Sequence, residues 1–434
     1  MGRSKSAPNR NQPIEVGETR RGQQRAFLIA AGRDPHAGLP ELKELLSTAG
    51  AQIVGEATQL RDDPHPDSYL GSGKIDEVAE QLEATRANLV VCDDELSPRQ
   101  ERTLEKRLSV PVIDRTAVIL DIFALHAGSA EGKLQVELAQ LEYNLARMRG
   151  LWTHLERLGG GIGTRGPGES QIETDRRLAR DRVSSVRRRL RGVEATRARM
   201  RAERERTSIP SIALVGYTNA GKSTLMRALT GAEVGIRDEL FHTLDPTTRV
   251  LESNGRAYVM TDTVGFIRKL PHQLVDAFAA TLEETIRSDL LIVVSDGSAA
   301  ELDRIEQLAA VEETLRAIGA DEIPRIDVIN KVDLLDHDQR AEATSVQPDA
   351  IQVSAVTGEG LDLLLEAAAS SIRSRLEQLD LLIPHSDGRT IDQLHRIAGD
   401  LTREDLPEGV RISVRLNPAQ ADRYRRFSEA VENR

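Results

Sequence analysis

SIALVGYTNAGKST, residues Ser211 to Thr224, is the stretch that decides the fold of this chain. Five mostly apolar residues lead into Gly216, and the run then follows the pattern G-x-x-x-x-G-K-S. This pattern predicts a phosphate-binding loop between a buried strand and a helix. Its glycines turn backbone N–H groups toward phosphate oxygens, while the lysine neutralises the phosphates and the hydroxyl can ligate Mg²⁺. The expected contact residues are Gly216, Asn219, Ala220, Gly221, Lys222, Ser223 and Thr224.

Length and composition bound the number of domains and the kinds of partner. The 434 residues suffice for two to four domains with their own cores, since 39% are hydrophobic and 29% are charged. Aromatic residues make up only 3%, which argues against nucleic-acid binding by base stacking. With a net charge of −11, the protein could hold a polyanion only through basic residues segregated in one region.

Cysteine usage and hydropathy indicate the cellular setting. The single cysteine, Cys92, excludes internal disulfides and multi-cysteine zinc sites, and its position after an apolar run predicts a core residue. No stretch approaches the ~20 continuous apolar residues of a membrane span. The basic N-terminus has no apolar core, so it does not read as a secretory signal. We therefore expect a soluble cytoplasmic protein without stable membrane insertion.

The first 115 residues divide into a polar tail and a small α/β domain. Residues 1–25 carry six Lys/Arg against two Glu, which predicts a disordered basic tail. Residues 26–115 alternate strands with helices, which predicts a largely parallel sheet. The predicted strands are 27–31, 52–57, 89–92 and 110–114, and the predicted helices are 39–49, 74–87 and 97–108.

Gly71-Ser-Gly-Lys74 in this domain resembles half of a phosphate loop. It lacks the upstream glycine and the strand that such a loop needs, so a tight turn capping the next helix is the preferred interpretation. The alternative is a second nucleotide site in the N-terminal half.

The hydrophobic period changes from Lys133 onward, where apolar residues recur by fours and threes as a heptad seam. The stretch GGGIGTRGPG at residues 159–168 holds six glycines and cannot stay helical. Residues 116–207 are therefore predicted to form an antiparallel helical hairpin with a Gly-rich tip. The predicted seam comprises Leu134, Leu138, Leu141, Leu145, Met148, Trp152, Leu155 and Leu158, and then Leu178, Val183, Val186, Leu190, Val193 and Met200.

Positive charge is concentrated on this hairpin: residues 151–207 contain fifteen Arg, no Lys and eight Asp/Glu. Guanidinium groups pair bidentately with phosphate oxygens, and the acids can neutralise only about half of these arginines, so RNA contact is favoured over a solvated helix face. The tip could approach a nucleic-acid or peptide backbone closely, or serve as a plain hinge. The RNA-binding candidates are Gly159, Gly160, Gly161, Arg165, Arg176, Arg177, Arg187, Arg188, Arg189 and Arg191.

Residues 208–376 carry three further short motifs, each beside a predicted strand: Asp262-Thr-Val-Gly265, Asn330-Lys-Val-Asp333 and Ser354-Ala355. The aspartate of the first can hold Mg²⁺ through water, and its glycine amide can sense a γ-phosphate. Four motifs in this order predict a P-loop GTPase domain with its ligands at the strand ends. The expected GTP/GDP and Mg²⁺ contacts are Asp262, Thr263, Val264, Gly265, Asn330, Lys331, Asp333, Ser354 and Ala355.

The last two motifs set the choice of base. The Asp333 carboxylate can accept from both N1–H and the exocyclic amine of guanine, whereas adenine offers no such donor pair. Lys331 can lie along the base with its alkyl stem, and the Ala355 amide can meet the guanine oxygen.

The region between the loop and D-x-x-G, residues 238–249, predicts the first switch, whose threonine closes on Mg²⁺ and the γ-phosphate. Thr243, Thr247 and Thr248 compete for that role. Phe266 stands where many GTPases place the glutamine that orients the attacking water. Because phenylalanine cannot make that hydrogen bond, we expect slow basal hydrolysis that a large partner stimulates. Residues 377–434 predict a small C-terminal α/β domain, with helix 390–398, strand 410–416 and a short terminal helix.

The order of these parts resembles the HflX family of translational GTPases in the Obg-HflX superfamily. The likeness covers nearly the whole chain after about residue 25. It is carried by GSGK at Gly71 to Lys74, GGGIGTRGPGESQIETDRR at Gly159 to Arg177, GYTNAGKST, FHTLDPTTR and DTVGFIRKLP. The glycine-rich stretch discriminates best, because GTPase motifs alone fit many unrelated switches.

The resemblance implies a factor that binds the ribosome, chiefly the 50S subunit and its rRNA, and splits stalled or stressed ribosomes in a GTP-dependent way. The hairpin would reach toward the peptidyl-transferase region, and the GTPase domain would sit at the factor-binding site. We expect a monomer that does not bind DNA.

The family's F-x-T-L favours Thr243 as the Mg²⁺ threonine, among switch contacts Phe241, His242, Thr243, Leu244 and Asp245. The resulting metal set is Ser223, Thr243 and Asp262, and the catalytic set is Lys222, Thr243 and Gly265. His242 departs from the small residue usual in the family, which bears on the packing of the first switch.

Two other functions fit parts of the chain. One is a nucleotide-dependent RNA-remodelling protein with a second, ATP-binding site at Gly71–Lys74. The other is a stand-alone signalling switch whose hairpin docks another protein.

Overall fold

The structure is a computed structural model that describes residues 24–150, 174–193, 209–231, 240–241, 246–253, 256–269, 282, 285–397 and 401–428. The predicted basic tail up to residue 23 and the Gly-rich tip lie outside the described residues. The chain forms two compact units, residues 1–125 with 144–173 and residues 126–143 with 174–434. The boundaries of the five predicted regions stay predictions.

A four-stranded parallel sheet in the order β2-β1-β3-β4 forms the centre of the first unit. Its inner strands are continuous apolar runs, as a sheet covered on both faces requires, and β1 buries six residues in a row. The strands are β1 (Arg25–Gly32), β2 (Gln52–Leu60), β3 (Leu89–Cys92) and β4 (Val112–Asp114). The helices are α1 (Leu39–Thr48), α2 (Ser72–Thr85), α3 (Pro98–Leu108) and α4 (Arg115–His126), the last of which was not predicted.

Buried side chains in this unit are held by packing and by paired charges. Cys92 is fully buried, as predicted, and burial raises the pKa of its thiol. Arg115, also buried, donates to Asp93 at 2.9 Å and pairs with Glu41. These contacts explain why a guanidinium can lie in the core: its charge is neutralised by two carboxylates.

Two helices of the predicted hairpin pack through a shared apolar seam: α5 (Ala130–Gly150) and α6 (174–193). The prediction is wrong at Leu178, which is 59% exposed because it lies off the face that meets α5. Ion pairs Arg182–Glu137 and Arg187–Glu142 join the same two helices. The seam comprises Leu134, Leu138, Leu141, Val183, Val186 and Leu190.

The sheet of residues 211–352 has six strands in the order β10-β9-β8-β5-β7-β6, all parallel except β6. Residues 247–249, assigned from the sequence to the first switch, lie in β6, where Thr247 pairs with Asp262 and Thr248 with Thr261. The strands are β5 (Ser211–Gly216), β6 (Thr247–Ser253), β7 (Arg256–Asp262), β8 (Leu290–Asp296), β9 (Arg325–Asn330) and β10 (Ile351–Gln352). The helices are α7 (Lys222–Thr230), α8 (Glu301–Ala317), α9 (His337–Val346) and α10 (Leu361–Ser374).

Residues 377–428 form a three-stranded antiparallel sheet in the order β11-β13-β12 with helices against it. The predicted helix and strand are present, and two further strands flank that strand. The elements are β11 (Glu377–Ile383), α11 (Gly388–Ile397), β12 (Leu401–Leu406), β13 (Gly409–Leu416) and α12 (Pro418–Tyr424). Across the described part of the chain, no helix combines the length and apolar character needed to cross a membrane.

Candidate guanine-nucleotide site

The parallel strands of the six-stranded sheet bring the predicted motifs to one edge. Gly216 ends β5, Asp262 ends β7, and Asn330 ends β9. Because the carboxyl ends of parallel strands meet at the same edge, residues far apart in the chain converge there, where open α/β sheets bind their ligands. Each motif can therefore be examined as part of a single site.

The phosphate loop joins β5 to α7 and is shaped by two glycines. Gly216 has φ +148° and Gly221 has φ +87°, conformations that side chains rarely adopt. A Cβ at Gly216 would lie 2.2 Å from the carbonyl oxygen of Val294, and a Cβ at Gly221 would lie 2.3 Å from Nδ2 of Asn330. Only glycine therefore lets the loop lie this close to β8, which carries Val294, and to Asn330 at the end of β9.

Lys222 is buried at the start of α7. Its Nζ donates to the carbonyl oxygens of Gly216 at 3.1 Å and Tyr217 at 2.7 Å, which holds the ammonium inside the loop. Burial lowers the pKa of this ammonium to about 8, and the carboxylate of Asp262 opposes that shift. An ammonium desolvated in this way gains strongly when a phosphate approaches it.

Ser223 and Asp262 supply a pair of oxygen ligands. The Ser223 hydroxyl donates to Oδ2 of Asp262 at 2.6 Å, and Asp262 is fully buried at the end of β7. A hydroxyl and a carboxylate oxygen so close together fit Mg²⁺, which prefers hard oxygen ligands. Ser223 would hold the ion directly and Asp262 through water, and the ion would neutralise charge on the phosphate oxygens.

The D-x-x-G segment lies against the phosphate loop. Gly265 packs so closely that a Cβ there would lie 2.8 Å from Cα of Thr218 and 3.1 Å from Nζ of Lys222. Phe266 is buried, its N–H donates to the Gly216 oxygen at 3.0 Å, and its own oxygen accepts from Thr218 at 2.8 Å. Within the same segment, Thr263 and Val264 are also buried. The Phe266 ring is therefore packed inside the domain and offers no hydrogen bond to a water.

Asn330 joins three loops of the site. Its Nδ2 donates to the carbonyl oxygen of Ala220 at 3.0 Å, and its Oδ1 accepts from the amide N–H of Ala355 at 3.1 Å. From the sequence, that amide was expected to meet the guanine oxygen. In the structure it is engaged by Asn330, because both lie at the sheet edge, and a guanine oxygen would have to share it.

The Asp333 carboxylate is exposed and oriented by its neighbour. Its Oδ1 accepts from the Ser354 hydroxyl at 2.6 Å, and Ser354 is fully buried. One edge of the carboxylate is thus fixed while the residue stays accessible to a base. This geometry suits the recognition of two donors on guanine.

Lys331 adopts a left-handed conformation with φ +66°. Its Nζ donates to Oδ2 of Asp296 at 2.7 Å, while the other oxygen of Asp296 accepts from the N–H and hydroxyl of Ser298 at 2.8 and 2.6 Å. The alkyl stem is therefore held in one direction, as expected for a side chain that supports a base.

Three residues of this site were missed by the sequence analysis: Asp296, Arg340 and Glu359. Asp296 follows the buried strand β8 at the ligand edge, and that position alone could have indicated it. Arg340 pairs with Glu359 and donates to the carbonyl oxygen of Val332. No short sequence motif predicts either contact.

The first switch is described only in part. Phe241 is buried with φ +58°, whereas His242, Thr243, Leu244 and Asp245 lie outside the described residues. The Thr248 hydroxyl is 3.3 Å from that of Thr261 across the strand pair. The roles of Thr243 as metal ligand and catalytic residue stay predictions.

The segment Gly71–Lys74 opens helix α2 as a turn. The Gly71 N–H donates to Oε1 of Gln59 at 2.8 Å, and Lys74 donates to Glu77 at 2.7 Å. No strand leads directly into this turn, since β2 ends at Leu60. The geometry favours the turn over a second phosphate loop.

Four family profiles match successive parts of the chain. Their descriptions are GTP-binding GTPase N-terminal for residues 36–124, GTP-binding GTPase middle region for 126–204, 50S ribosome-binding GTPase for 211–331 and HflX C-terminal domain for 338–432. Together with the loop and the sheet, these matches define a P-loop GTPase, which binds guanine nucleotides and hydrolyses GTP.

Relatives identify the family. The GTPase HflX of Caldanaerobacter subterraneus subsp. tengcongensis is 45% identical over 414 residues, covering 94% of this chain and 95% of that protein. The GTPase HflX of Escherichia coli K12 is 44% identical over 381 residues, covering 87% and 89%. This chain belongs to the HflX family of GTPases.

Solved structures also resemble the chain. The complex of SsGBP with GDP is 28% identical, covers 80% of this chain and 98% of that one, and has a TM-score of 0.45. A GTP-binding protein from the archaeon Sulfolobus solfataricus in complex with GDP is 27% identical, covers 81% and 99%, and has a TM-score of 0.42.

Proposed function

We propose that this protein binds the ribosome, chiefly its 50S subunit, and uses GTP binding to split stalled or stressed ribosomes in the cytoplasm. The GTPase activity follows from the family, and the profile that matches residues 211–331 describes a 50S ribosome-binding GTPase. The observation that carries the proposal is a row of exposed arginines on α6.

These arginines lie on one side of the helix: Arg177, Arg180, Arg188 and Arg191. Their spacings of three, eight and three residues are close to whole turns. Within the described part of the chain they make no ion pair, whereas Arg182 and Arg187 are neutralised by Glu137 and Glu142. Unneutralised guanidinium groups in a row support contact with RNA phosphates.

In the nucleotide site, we assign roles to eight of the predicted residues. Lys222 neutralises the β- and γ-phosphates, Ser223 and Asp262 hold Mg²⁺ together with Thr243, and the Gly265 amide senses the γ-phosphate. Asp333 reads the guanine, supported by Lys331 and Ser354. GTP binding would thereby set the conformation of the switches, and hydrolysis would release the ribosome.

Phe266 makes hydrolysis depend on the partner. Its buried ring cannot orient a water, so a group from the ribosome or a rearranged loop must do so. The test is single-turnover GTP hydrolysis with and without purified 50S subunits. We expect stimulation of at least about tenfold, since an orienting group supplied in trans is worth far more in other GTPases. Fast hydrolysis by the isolated protein, unchanged by 50S subunits, would contradict the proposal.

A further inference from the structure

Arg340 on α9 lies beside the two loops that carry Asp333 and Ser354. Its Nη1 and Nη2 donate to Oε1 and Oε2 of Glu359 at 2.6 and 3.2 Å, the two-bond geometry of guanidinium–carboxylate pairs. Nη2 also donates to the carbonyl oxygen of Val332 at 2.8 Å. One guanidinium therefore bonds both the residue before Asp333 and a residue beyond Ser354.

Main-chain and side-chain bonds complete a ring through these residues. The carbonyl oxygen of Glu359 accepts from the N–H of Ser354 at 2.9 Å. The Ser354 hydroxyl donates to the carboxylate of Asp333 at 2.6 Å. The Asp333 carboxylate is thus restrained directly by Ser354 and, through Val332 and Glu359, by Arg340.

Helix α9 is itself fixed close to the loop. Its capping box joins Asp336 and Gln339, whose side chains accept from each other's backbone N–H at 3.0 and 2.9 Å. The carbonyl oxygen of Arg340 accepts from Nε2 of Gln352 at 3.2 Å, which ties the helix to β10. The guanidinium therefore extends from a backbone held on two sides.

We propose that Arg340, acting with Glu359, is a positioning residue that sets selectivity for bases carrying a 2-amino group. The inference rests on the proposed contact between Asp333 and guanine. A carboxylate accepts two parallel bonds, from N1–H and the 2-amine, only when its plane is held at one angle. The ring of bonds supplies that restraint, and Arg340 does so without touching the nucleotide.

The test compares GDP with IDP, which lacks the 2-amino group, by competition against fluorescent GDP on the full-length protein. In the natural protein, IDP should bind about tenfold more weakly or worse, because one acceptor is left unpaired. Arg340→Ala should weaken GDP about tenfold and IDP much less, so that the two affinities converge. Glu359→Gln should shift the ratio in the same direction by a smaller factor.

Arg325→Ala is the matched control. It removes the Arg325–Glu312 pair, and Arg325 lies at the start of β9, away from the nucleotide site. The exposure of the two pairs is similar: the side chains are 40% and 39% exposed in Arg325–Glu312, and 33% and 49% exposed in Arg340–Glu359. The control should leave the GDP:IDP ratio unchanged. Equal weakening of both nucleotides by Arg340→Ala, with a lowered melting temperature, would reduce Arg340 to a structural role and overturn the inference.

Asp333→Asn separates this inference from the proposed role of Asp333. If Asp333→Asn weakens GDP while Arg340→Ala and Glu359→Gln leave the GDP:IDP ratio unchanged, the positioning role is wrong and the guanine contact stands. If Asp333→Asn leaves GDP affinity unchanged, the proposed contact itself is wrong, and the inference fails with it.

Discussion

At the scale of single residues, Gly265 lies where no side chain fits without displacing its neighbours. An added Cβ would meet Cα and Cγ2 of Thr218 at 2.8 Å and Nζ of Lys222 at 3.1 Å. Gly265→Ala should therefore displace the D-x-x-G segment from the proposed γ-phosphate. We expect single-turnover GTP hydrolysis to fall at least about tenfold, with GDP affinity changed less than about threefold, because GDP has no γ-phosphate.

Gly73→Ala is the control for this change, since an added Cβ at Gly73 meets nothing within 4 Å. It should leave hydrolysis unchanged. Hydrolysis at the natural rate by Gly265→Ala would show that the segment tolerates a side chain and would remove the proposed role of Gly265.

Whether a residue of the site could be predicted from the sequence depends on whether its hydrogen-bond partner is near to it in the chain. Lys222, Asp262 and Asp333 could be predicted because each belongs to a short motif beside a strand. Arg340 could not, because it acts through Glu359, 19 positions away, whereas Asp296, which bonds Lys331 35 positions away, was indicated only by its place at the end of β8. Hydrogen bonds between residues so far apart in the sequence form only once the sheet has brought the loops together.

At the scale of elements, α6 combines an apolar face with a free basic face. We expect the quadruple variant Arg177/Arg180/Arg188/Arg191→Gln to bind 50S subunits more weakly and with a flatter salt dependence. Each lost phosphate contact should lower the slope of log affinity against log salt by about 0.7–0.9. Filter binding across a salt series measures both quantities.

Arg182/Arg187→Gln is the matched control, because these two arginines are exposed on the same helix but already paired with Glu137 and Glu142. It should change the salt slope much less. Equal slopes for the quadruple variant and the natural protein would mean that this face of α6 does not meet phosphate.

Two of the strands that were missed, β12 and β6, have weak apolar patterns. Strand β3 at residues 89–92 could be predicted because it is a buried apolar run. Strand β12 reads LTREDL, is mostly exposed at the edge of its sheet, and so carries no alternation to detect. Strand β6 is likewise an edge strand whose residues 248–250 are exposed, and its pairing with β7 is what makes it a strand.

At the scale of the whole molecule, the distribution of charge and the family membership both support the proposed binding to the ribosome. The chain carries a net charge of −11, yet fifteen arginines and no lysines fall between Leu151 and Thr207. Such segregation lets an acidic protein hold a polyanion through one segment while the rest repels it. The family, which the relatives at 44–45% identity show, could be predicted from the motifs and their order along the chain.

The most direct test of the central claim is sedimentation of intact ribosomes with this protein and a non-hydrolysable GTP analogue. We predict a shift of the ribosome population toward free subunits, absent with GDP and absent with the analogue and Lys222→Ala. The same assay with residues 159–168 deleted should lose splitting. Intact ribosomes that carry the bound protein and the analogue, yet sediment undivided, would contradict the account.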